Sequence, residues 1–459
     1  MKKTPVSKFS RRHFLTIAAG AVAAPTIIPS SALGLGKRPA PSDRVHLAAF
    51  GFGTIAHETV RGFLQDERVQ IIAVADPAKD LSNYGYGGEK RGGREVGKGI
   101  IDEHYAKATE GSKRKGCKTY EDFRELLEKE DVDAVNVSAP DHWHAHMAIY
   151  CARKGKHIYG QKPLAVTVEQ GRRMADEVAK AGVTWQTGSQ QRSDLYFRMA
   201  AEFIRNKRLG QLKGITVGLP GGHYDWNQMG ARTKPEPVPE GLNYDLWEGP
   251  AAHREYRPAM LPLNWRHNWD YSGGMITDWG AHHIDIVQWA LGMDESGPVK
   301  LENIRGSLPD QKSLWNTPDR YHFDAVYADG TRVTVADTEE VKKGTGITFE
   351  GEDGKSIFVK RGTIKFEPRE IAKDKIKDTE VRLYKSKNHY RNFIDGVYSG
   401  EKTAAPIEAA HRTITVAHLA NIALRLGKSS VNWDPKTEKS DDEEVNKMLS
   451  LPMRKPYAI

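Results

Sequence analysis

A glycine-rich turn between two apolar segments constrains the fold of this chain more than any other feature. The run Val45–Phe50 (VHLAAF) has strand character, and Gly51-Phe52-Gly53-Thr54-Ile55-Ala56 follows it, fitting the pattern G-x-G-x-x-(G/A). Residues 54–64 support a helix, and a second apolar run (VQIIAVA) ends just before Asp76. The order strand, glycine turn, helix, strand predicts a βαβ unit of a parallel sheet.

The same turn predicts a dinucleotide site. Glycine permits a tight turn and a close approach of the backbone to a pyrophosphate, whose charge is stabilised at the helix N-terminus. Asp76 stands 23 residues after Gly53, where a carboxylate binds the ribose 2′-hydroxyl and repels a 2′-phosphate. NAD is therefore the predicted cofactor, in preference to NADP. The predicted contacts from this unit are Gly51, Phe52, Gly53, Thr54, Ile55 and Asp76.

The length of 459 residues favours more than one domain. Strands and helices alternate up to about residue 166, whereas later segments alternate around Asp-Gly turns, which favours an antiparallel sheet. We predict an α/β protein with a Rossmann dinucleotide-binding domain over 45–166. An α+β domain with a large, mostly antiparallel, open-faced sheet is predicted over 167–430, and a polar C-terminal tail over 431–459.

The first 32 residues predict an export signal followed by a linker over 33–44. A basic region without acids precedes the apolar stretch Phe14–Ile28, which is shorter than a membrane span, and small residues near Ala32 suit cleavage. Arg11-Arg12 before Phe14 resembles a twin-arginine signal. We predict export to the periplasm by the twin-arginine machinery, which carries folded proteins. An ordinary secretory signal and an uncleaved anchor are the alternatives.

The net charge of +8 does not predict a nucleic-acid partner. Five of the positive charges belong to residues 1–32, which leaves +3 for the remainder, and those charges are scattered. The two cysteines, Cys117 and Cys151, exclude a multi-cysteine metal cluster and predict buried free thiols.

Four motifs follow the dinucleotide unit, namely Ser138-Ala139-Pro140 with His144, Gly155-Lys156-His157, Gln161-Lys162-Pro163 and the glycine-rich segment Ser272–His282. Together they resemble the Gfo/Idh/MocA family of sugar oxidoreductases, named after glucose–fructose oxidoreductase and inositol dehydrogenase. The resemblance covers most of residues 45–458. Gln161 departs from it, because the family has glutamate there. The resemblance implies that the second domain binds the substrate and joins copies of the chain into a homodimer or homotetramer.

The resemblance also implies a dehydrogenase acting on CH–OH groups. His282 would be the base, assisted by Asp278, and Lys162 would contact the substrate hydroxyl and the cofactor. Asp278 and His282 share a helical face, and the ordinary pKa of histidine, about 6.5, suits a base. The other cofactor contacts it implies are Ser138, Pro140, His144, Gln161, Lys162 and Gln190.

The substrate contacts are predicted from segments rich in aromatic and hydrogen-bonding residues. Arg192, Trp265 and Arg266, with Asp278 and His282, are the expected contacts to a small carbohydrate. The cluster Asp141–His146 contains three histidines at spacings that do not share one helical face, so no metal is predicted.

Three functions remain open from the sequence. The leading one is an NAD-dependent oxidoreductase that takes hydride from a ring carbon of a sugar, glycoside or cyclitol to tightly bound nicotinamide. The second is an NAD-dependent glycosidase that works by transient oxidation, elimination and hydration. The third is a sugar- or nucleotide-binding protein without chemistry.

Overall fold

The computed structural model describes residues 40, 43–82, 84, 91–108, 116–226, 228–261 and 263–459. The chain divides into two units, Met1–Arg44 and Val45–Ile459, and all described helices and strands belong to the second. The predictions for the export signal and for most of the linker lie outside the described residues. Among the described helices, none is long and apolar enough to cross a membrane.

The first half of the second unit contains a six-stranded parallel sheet in the order β3-β2-β1-β4-β5-β6. Its strands are β1 (Val45–Phe50), β2 (Val69–Ala75), β3 (Lys118–Tyr120), β4 (Ala134–Val137), β5 (His157–Gly160) and β6 (Trp185–Thr187). The predicted Rossmann sheet is confirmed, but it continues beyond residue 166. The short strand β6 belongs to it because β6 pairs in parallel with β5. The Trp185 ring fills the space beside Gly160, where a Cβ would lie 2.4 Å from the ring.

Helices cover this sheet. They are α1 (Ala56–Leu64), α2 (Arg94–Ala108), α3 (Phe123–Lys129), α4 (Asp141–Arg153) and α5 (Val168–Ala181). Helix α4 begins at Asp141, so the cluster Asp141–His146 lies on a helix. Pro140 is extended and caps this helix, and the carboxylate of Asp141 lies in its first turn, where the helix dipole favours negative charge.

The second half contains an eight-stranded sheet in the order β13-β12-β11-β7-β10-β9-β8-β14. Its strands are β7 (Gly214–Leu219), β8 (Lys300–Ser307), β9 (Arg320–Val326), β10 (Arg332–Asp337), β11 (Gly346–Glu350), β12 (Ser356–Lys360), β13 (Thr363–Glu367) and β14 (Val431–Asn432). Strands β7 and β10 pair in parallel and the other pairs are antiparallel. The predicted mostly antiparallel sheet is confirmed.

The helices of this half are α6 (Leu195–Arg205), α7 (Tyr244–Glu248), α8 (Gly274–Leu291), α9 (His389–Ser399), α10 (Ile407–Arg425) and α11 (Glu443–Lys447). Helix α8 lies at the centre of their packing, because it contacts α6, α10 and β7 and almost all its side chains are buried. Its first residue, Gly274, has φ +70°, and a Cβ there would lie 2.6 Å from the Thr317 hydroxyl oxygen.

The C-terminal residues take part in the packing. Strand β14 pairs with β8, and the Tyr457 ring lies 5.3 Å from that of Trp143 on α4. The two cysteines are free and buried, as predicted.

Candidate active site

A cavity of about 500 Å³ opens at the carboxyl ends of β1, β4 and β5, facing helix α8. This edge of a parallel sheet is where α/β proteins bind ligands. Fourteen of the predicted site residues line it, namely Gly51, Gly53, Thr54, Ile55, Asp76, Ser138, Pro140, Gln161, Lys162, Gln190, Trp265, Arg266, Asp278 and His282. Phe52, His144 and Arg192 do not line it.

The glycine turn forms one wall of the cavity. Gly51 has φ +79°, and a Cβ on it would lie 2.8 Å from the backbone of Ala139, so only glycine fits between β1 and the segment after β4. Among the described residues no side chain caps α1, so the N-terminus of this helix is open to an anion. Phe52 was predicted to contact the cofactor, but its ring is fully buried behind the turn.

Asp76 lines the cavity beside the glycine turn. Its carboxylate accepts hydrogen bonds from the backbone amides of Phe52 (2.5 Å) and Ala78 (2.7 Å) and from the Tyr84 hydroxyl. Burial raises the pKa of Asp76 to about 6, although these hydrogen bonds oppose the rise. A carboxylate offers about four acceptor sites, so capacity remains for a ribose hydroxyl.

The histidines of α4 bind main-chain carbonyl groups. His142 contacts the carbonyl oxygen of Trp247 (3.0 Å), and His146 contacts that of Tyr457 (3.0 Å). His144, predicted as a cofactor contact, bridges the carbonyl oxygens of Ala139 and Pro163, and so positions the loops after β4 and β5. Among the described residues, no three His, Cys, Asp or Glu side chains are grouped to hold a metal ion.

Four charged side chains form a network in the wall of the cavity. Lys162 Nζ lies 2.5 Å from the Asp278 carboxylate, and the guanidinium of Arg266 lies 3.5 Å from it. Arg266 also contacts Asp141 at 2.6 Å, and the Ser272 hydroxyl donates to the same Asp141 oxygen. The network thus contains two cations and two anions, drawn from four separate segments of the chain.

The pKa shifts of Asp278 and Lys162 have different consequences for their charges. Burial opposes ionisation of Asp278, but the charges of Arg266 and Lys162 prevail and lower its pKa to about 2. Burial lowers the pKa of Lys162, and the charge of Asp278 opposes that shift. Asp278 therefore remains an anion, and its charge favours the protonated form of Lys162.

His282 lies one helical turn from Asp278 and lines the cavity. Burial lowers its pKa well below 6.5, and the charges of Lys162 and Arg361 lower it further. Its Nδ1 atom has no hydrogen-bond partner among the described residues. A neutral imidazole beside a protonated lysine is suited to accept a proton from a hydroxyl group held between them.

Aromatic side chains form much of the remaining wall. Trp265 lies against the Arg266 guanidinium at 4.4 Å, and Trp226, Trp247 and Trp279 also line the cavity. Trp226 was not among the predicted site residues. The aromatic residues around it in the sequence were the signal that could have identified it.

The predicted substrate contact of Arg192 is corrected by the structure. Its guanidinium is 2% exposed and contacts Asp285 at 2.8 Å and Asp294 at 2.8 Å. Burial in this ion pair directs the side chain away from the cavity. Asp285 shares a helix with Asp278 and His282, but its carboxylate is occupied by Arg192 and Thr413.

Several lining residues were missed. Asp141 follows Pro140 directly, so the Ser-Ala-Pro motif was a signal for it. Glu58, Tyr84 and Arg361 also line the cavity, and only their three-dimensional positions identify them.

Two family models match the chain. One describes an oxidoreductase family, C-terminal alpha/beta domain, and matches residues 200–459. The other describes an oxidoreductase family, NAD-binding Rossmann fold, and matches residues 88–189. Both carry the Gfo/Idh/MocA family name.

Three curated relatives are similar over part of their length. Myo-inositol 2-dehydrogenase of Thermotoga maritima is 36% identical over 175 residues, which cover 38% of this chain and 41% of the relative. Levoglucosan dehydrogenase of Pseudarthrobacter phenanthrenivorans is 25% identical over 287 residues, covering 57% and 65%. Alpha-N-acetylgalactosaminidase of Shewanella oneidensis is 31% identical over 180 residues, covering 35% of each chain. The matches thus span less than two thirds of each of these relatives.

Solved structures share the fold. The WlbA dehydrogenase from Bordetella pertussis, determined in complex with NADH and UDP-GlcNAcA, superposes with a TM-score of 0.54 at 17% identity, covering 81% of this chain and 94% of the other. The C-terminal family model alone spans more than half of the chain. With the NAD-binding Rossmann fold, the open-faced sheet and the motifs in their expected order, this chain belongs to the Gfo/Idh/MocA oxidoreductase family.

Proposed function

We propose that this protein is an NAD-dependent oxidoreductase that removes hydride from a hydroxyl-bearing ring carbon of a sugar, glycoside or cyclitol. The observation that carries the proposal is one cavity lined both by the glycine turn and by Lys162, Asp278 and His282. The dehydrogenases of inositol and of levoglucosan among the relatives support a cyclic polyol as the substrate class.

Different residues of the chain would hold different parts of the cofactor. The turn 51–55 and the N-terminus of α1 would hold the pyrophosphate, and Asp76 would accept the ribose hydroxyl. Asp76 favours NAD because its negative charge opposes a 2′-phosphate. Gln161 Nε2 is buried without a partner among the described residues, and its side chain lines the cavity, where a ligand acceptor satisfies it.

Nicotinamide, when bound, accepts the hydride. His282 accepts the hydroxyl proton, since its neutral imidazole lies at the cavity surface. Lys162 donates a hydrogen bond to the same hydroxyl oxygen, and the charge of Asp278 favours the protonated form of Lys162. Arg266 and Asp141 position Asp278, because Arg266 contacts both carboxylates. The tryptophan side chains exclude water and present flat faces to the C–H surface of a ring.

An assay of bound nucleotide and of product tests the proposal. Mass spectrometry of nucleotide released from the purified protein should detect NAD rather than NADP. A panel of cyclic polyols and glycosides should then give a ketone product in proportion to reduced nicotinamide. A protein without nucleotide, with no turnover even when NAD is added, would contradict the proposal.

A glycosidase is the second candidate, and the similarity to an α-N-acetylgalactosaminidase favours it. Removing hydride from a ring carbon acidifies the neighbouring C–H group, the glycosidic oxygen leaves by elimination, water adds, and the hydride returns to the ring. The net reaction is hydrolysis without consumption of NAD. Release of nitrophenol from nitrophenyl glycosides at catalytic NAD would select this candidate, whereas stoichiometric ketone formation would select the first.

We further propose that residues 1–32 direct the folded protein, with its cofactor, to the periplasm. The paired Arg11-Arg12 and the apolar stretch after them support this role. A fusion of residues 1–44 to a fluorescent protein should reach the periplasm, and the Arg11→Lys/Arg12→Lys double variant should not. Equal export of both fusions would contradict the twin-arginine route.

A homodimer or homotetramer is proposed through the open face of the eight-stranded sheet. This face carries charged pairs, including Arg332 with Glu302 and Arg305 with Glu340. Light scattering should give a mass of two or four chains, and charge reversal at Glu302 and Glu340 should lower it. A monomer at micromolar concentration would contradict this assembly.

A further inference from the structure

Arg361 occupies an unusual place at the rim of the cavity. Strands β12 and β13 form a hairpin in which Lys360 pairs with Thr363, so Arg361 and Gly362 make a two-residue turn. Gly362 has φ +70°, as a tight turn of this kind requires at one of its positions. The large sheet thereby presents a guanidinium to the cavity.

Two contacts fix the direction of this side chain. The guanidinium lies over the Trp279 ring at 5.0 Å from its centroid. With the Gln191 amide oriented to satisfy both neighbours, its oxygen accepts from Arg361 Nε at 3.2 Å and its nitrogen donates to the His282 carbonyl at 3.0 Å. Arg361 is therefore tied through Gln191 to the helical turn that carries His282.

The charge balance distinguishes Arg361 from the other cations of the cavity. Lys162 and Arg266 each contact a carboxylate, whereas no carboxylate of the described residues lies within 4.0 Å of Arg361. The charges of Asp278, Glu58 and Asp194 act on it only at longer range. Asp278 is already paired, Glu58 accepts from Tyr390, and Asp194 caps α6.

The cations that line the cavity are Lys162, Arg266 and Arg361. Lys162 and Arg266 are paired with carboxylates, so Arg361 is the lining cation that has no carboxylate in contact among the described residues. The contact to Gln191 uses only Nε, so the two terminal nitrogens remain for a planar or tetrahedral anion. Guanidinium groups bind carboxylate and phosphate through paired hydrogen bonds.

We infer that Arg361 binds an anionic substituent of the substrate, a carboxylate or a phosphate, so that the preferred substrates are sugar acids or sugar phosphates. The inference rests on the proposed function. The pyrophosphate of the cofactor is the other anion within the cavity, but its place is the glycine turn. Arg361 is tied instead to the turn of α8 that carries His282, the residue beside which the proposed function places the substrate hydroxyl.

Matched pairs of substrates test this inference in the full-length protein. The pairs are glucuronate with glucose, galacturonate with galactose, and glucose 6-phosphate with glucose. Wild-type protein should have the higher kcat/KM for the acidic member of a pair. Arg361→Met should lower kcat/KM for that member by about 10- to 100-fold, mainly through KM, and change the value for the neutral member by less than about threefold.

Two further variants show whether a loss of kcat/KM for acidic substrates comes from the guanidinium of Arg361. Arg361→Lys keeps the charge without the paired donors and should retain part of the preference. Lys360→Met removes the neighbouring exposed cation, which does not line the cavity, and should leave both members of each pair unchanged. An equal loss for acidic and neutral substrates in Arg361→Met would overturn the inference.

The affinity for NAD shows whether Arg361 binds an anionic group of the substrate or the pyrophosphate of the cofactor. The Kd for NAD, followed by quenching of tryptophan fluorescence, should be the same in wild type and Arg361→Met. A weaker Kd for NAD in the variant would instead place Arg361 at the pyrophosphate and overturn the inference.

Calorimetry distinguishes failure of the inference from failure of the proposed function. If no member of any pair and no polyol or glycoside of the panel is oxidised, calorimetric binding of glucuronate that disappears in Arg361→Met would support the anion site while refuting the oxidoreductase. Turnover of neutral polyols without any acid preference would retain the oxidoreductase and refute the anion site.

Discussion

Helix α8 carries two buried aspartates, Asp278 and Asp285, seven residues apart. Asp278 faces the cavity and contacts Lys162 at 2.5 Å. Asp285 is sealed in the interior, where Arg192 contacts both of its oxygens at 2.8 Å. Both are buried carboxylates paired with cations, so residue type and pairing do not distinguish them.

The difference lies in what remains accessible. The Lys162–Asp278 pair has one side open to the cavity, so a substrate hydroxyl is able to join its hydrogen bonds. The Arg192 guanidinium is satisfied by Asp285 and Asp294 and has no open side. The Lys162–Asp278 pair is therefore accessible to a substrate, whereas the Arg192–Asp285 pair fixes α8 against the segment before α6. Three substitutions test that contrast.

The largest effect is expected for Lys162→Met. Loss of the ammonium removes the hydrogen-bond donor to the reacting oxygen, so kcat should fall by about 10²- to 10⁴-fold. The melting temperature should change little, because Arg266 still lies near Asp278. Steady-state kinetics and thermal denaturation measure both quantities. Lys154→Met, at an exposed position after α4, is the matched control, and a loss of less than tenfold at Lys162 would contradict its role.

Arg192→Met should lower the stability of the protein and have little effect on KM. It leaves Asp285 and Asp294 buried or half-buried without their cation, which costs about 3–5 kcal/mol of unfolding free energy. The midpoint of urea denaturation should therefore fall sharply. At a temperature where the variant is folded, KM should remain within about threefold of wild type, since Arg192 does not reach the cavity. A large rise in KM with unchanged stability would restore the substrate contact predicted from the sequence.

Asp278→Asn should move the alkaline limb of kcat/KM. The charge of Asp278 raises the pKa of Lys162 against the effect of burial, so without that charge Lys162 loses its proton at lower pH. Activity should then decline about 1–3 pH units earlier on the alkaline side. The acid limb, set by the lowered pKa of His282, should stay well below pH 6.5 in both proteins. A shifted acid limb with a fixed alkaline limb would reverse the assignment of the two groups.

The parts of this site that sequence predicted are those built from neighbouring residues. The glycine turn and Asp76 belong to one βαβ unit, so motif and spacing predicted them. The roles of Asp278 and His282 were implied by the family resemblance, which their shared helical face supported. Arg266 and Asp141 are 125 residues apart and meet only in the folded chain. Arg361 is an exposed turn residue in a hairpin, and no local pattern separates it from a solvated arginine. Arg192 was misplaced because its partners Asp285 and Asp294 are distant in sequence.

A third buried aspartate, Asp76, extends the comparison because it has no cation partner. Within the described residues no ion pair forms on its carboxylate, and Arg94 donates to its backbone carbonyl instead. Burial therefore raises its pKa to about 6, and the charge that opposes a 2′-phosphate is lost as the pH falls through that value.

The expected effect is a cofactor preference that depends on pH. In wild-type protein the ratio of Kd for NADP to Kd for NAD should fall by about tenfold between pH 8 and pH 5, since a lost repulsion of about 1.4 kcal/mol corresponds to that factor. The 2′-phosphate also titrates near pH 6 and lowers the ratio in the same direction. Asp76→Asn isolates the protein's contribution, because its ratio should be small at pH 8 and depend on pH through the phosphate alone. Equal slopes in the two proteins would mean that Asp76 stays ionised throughout, with hydrogen bonds that outweigh its burial.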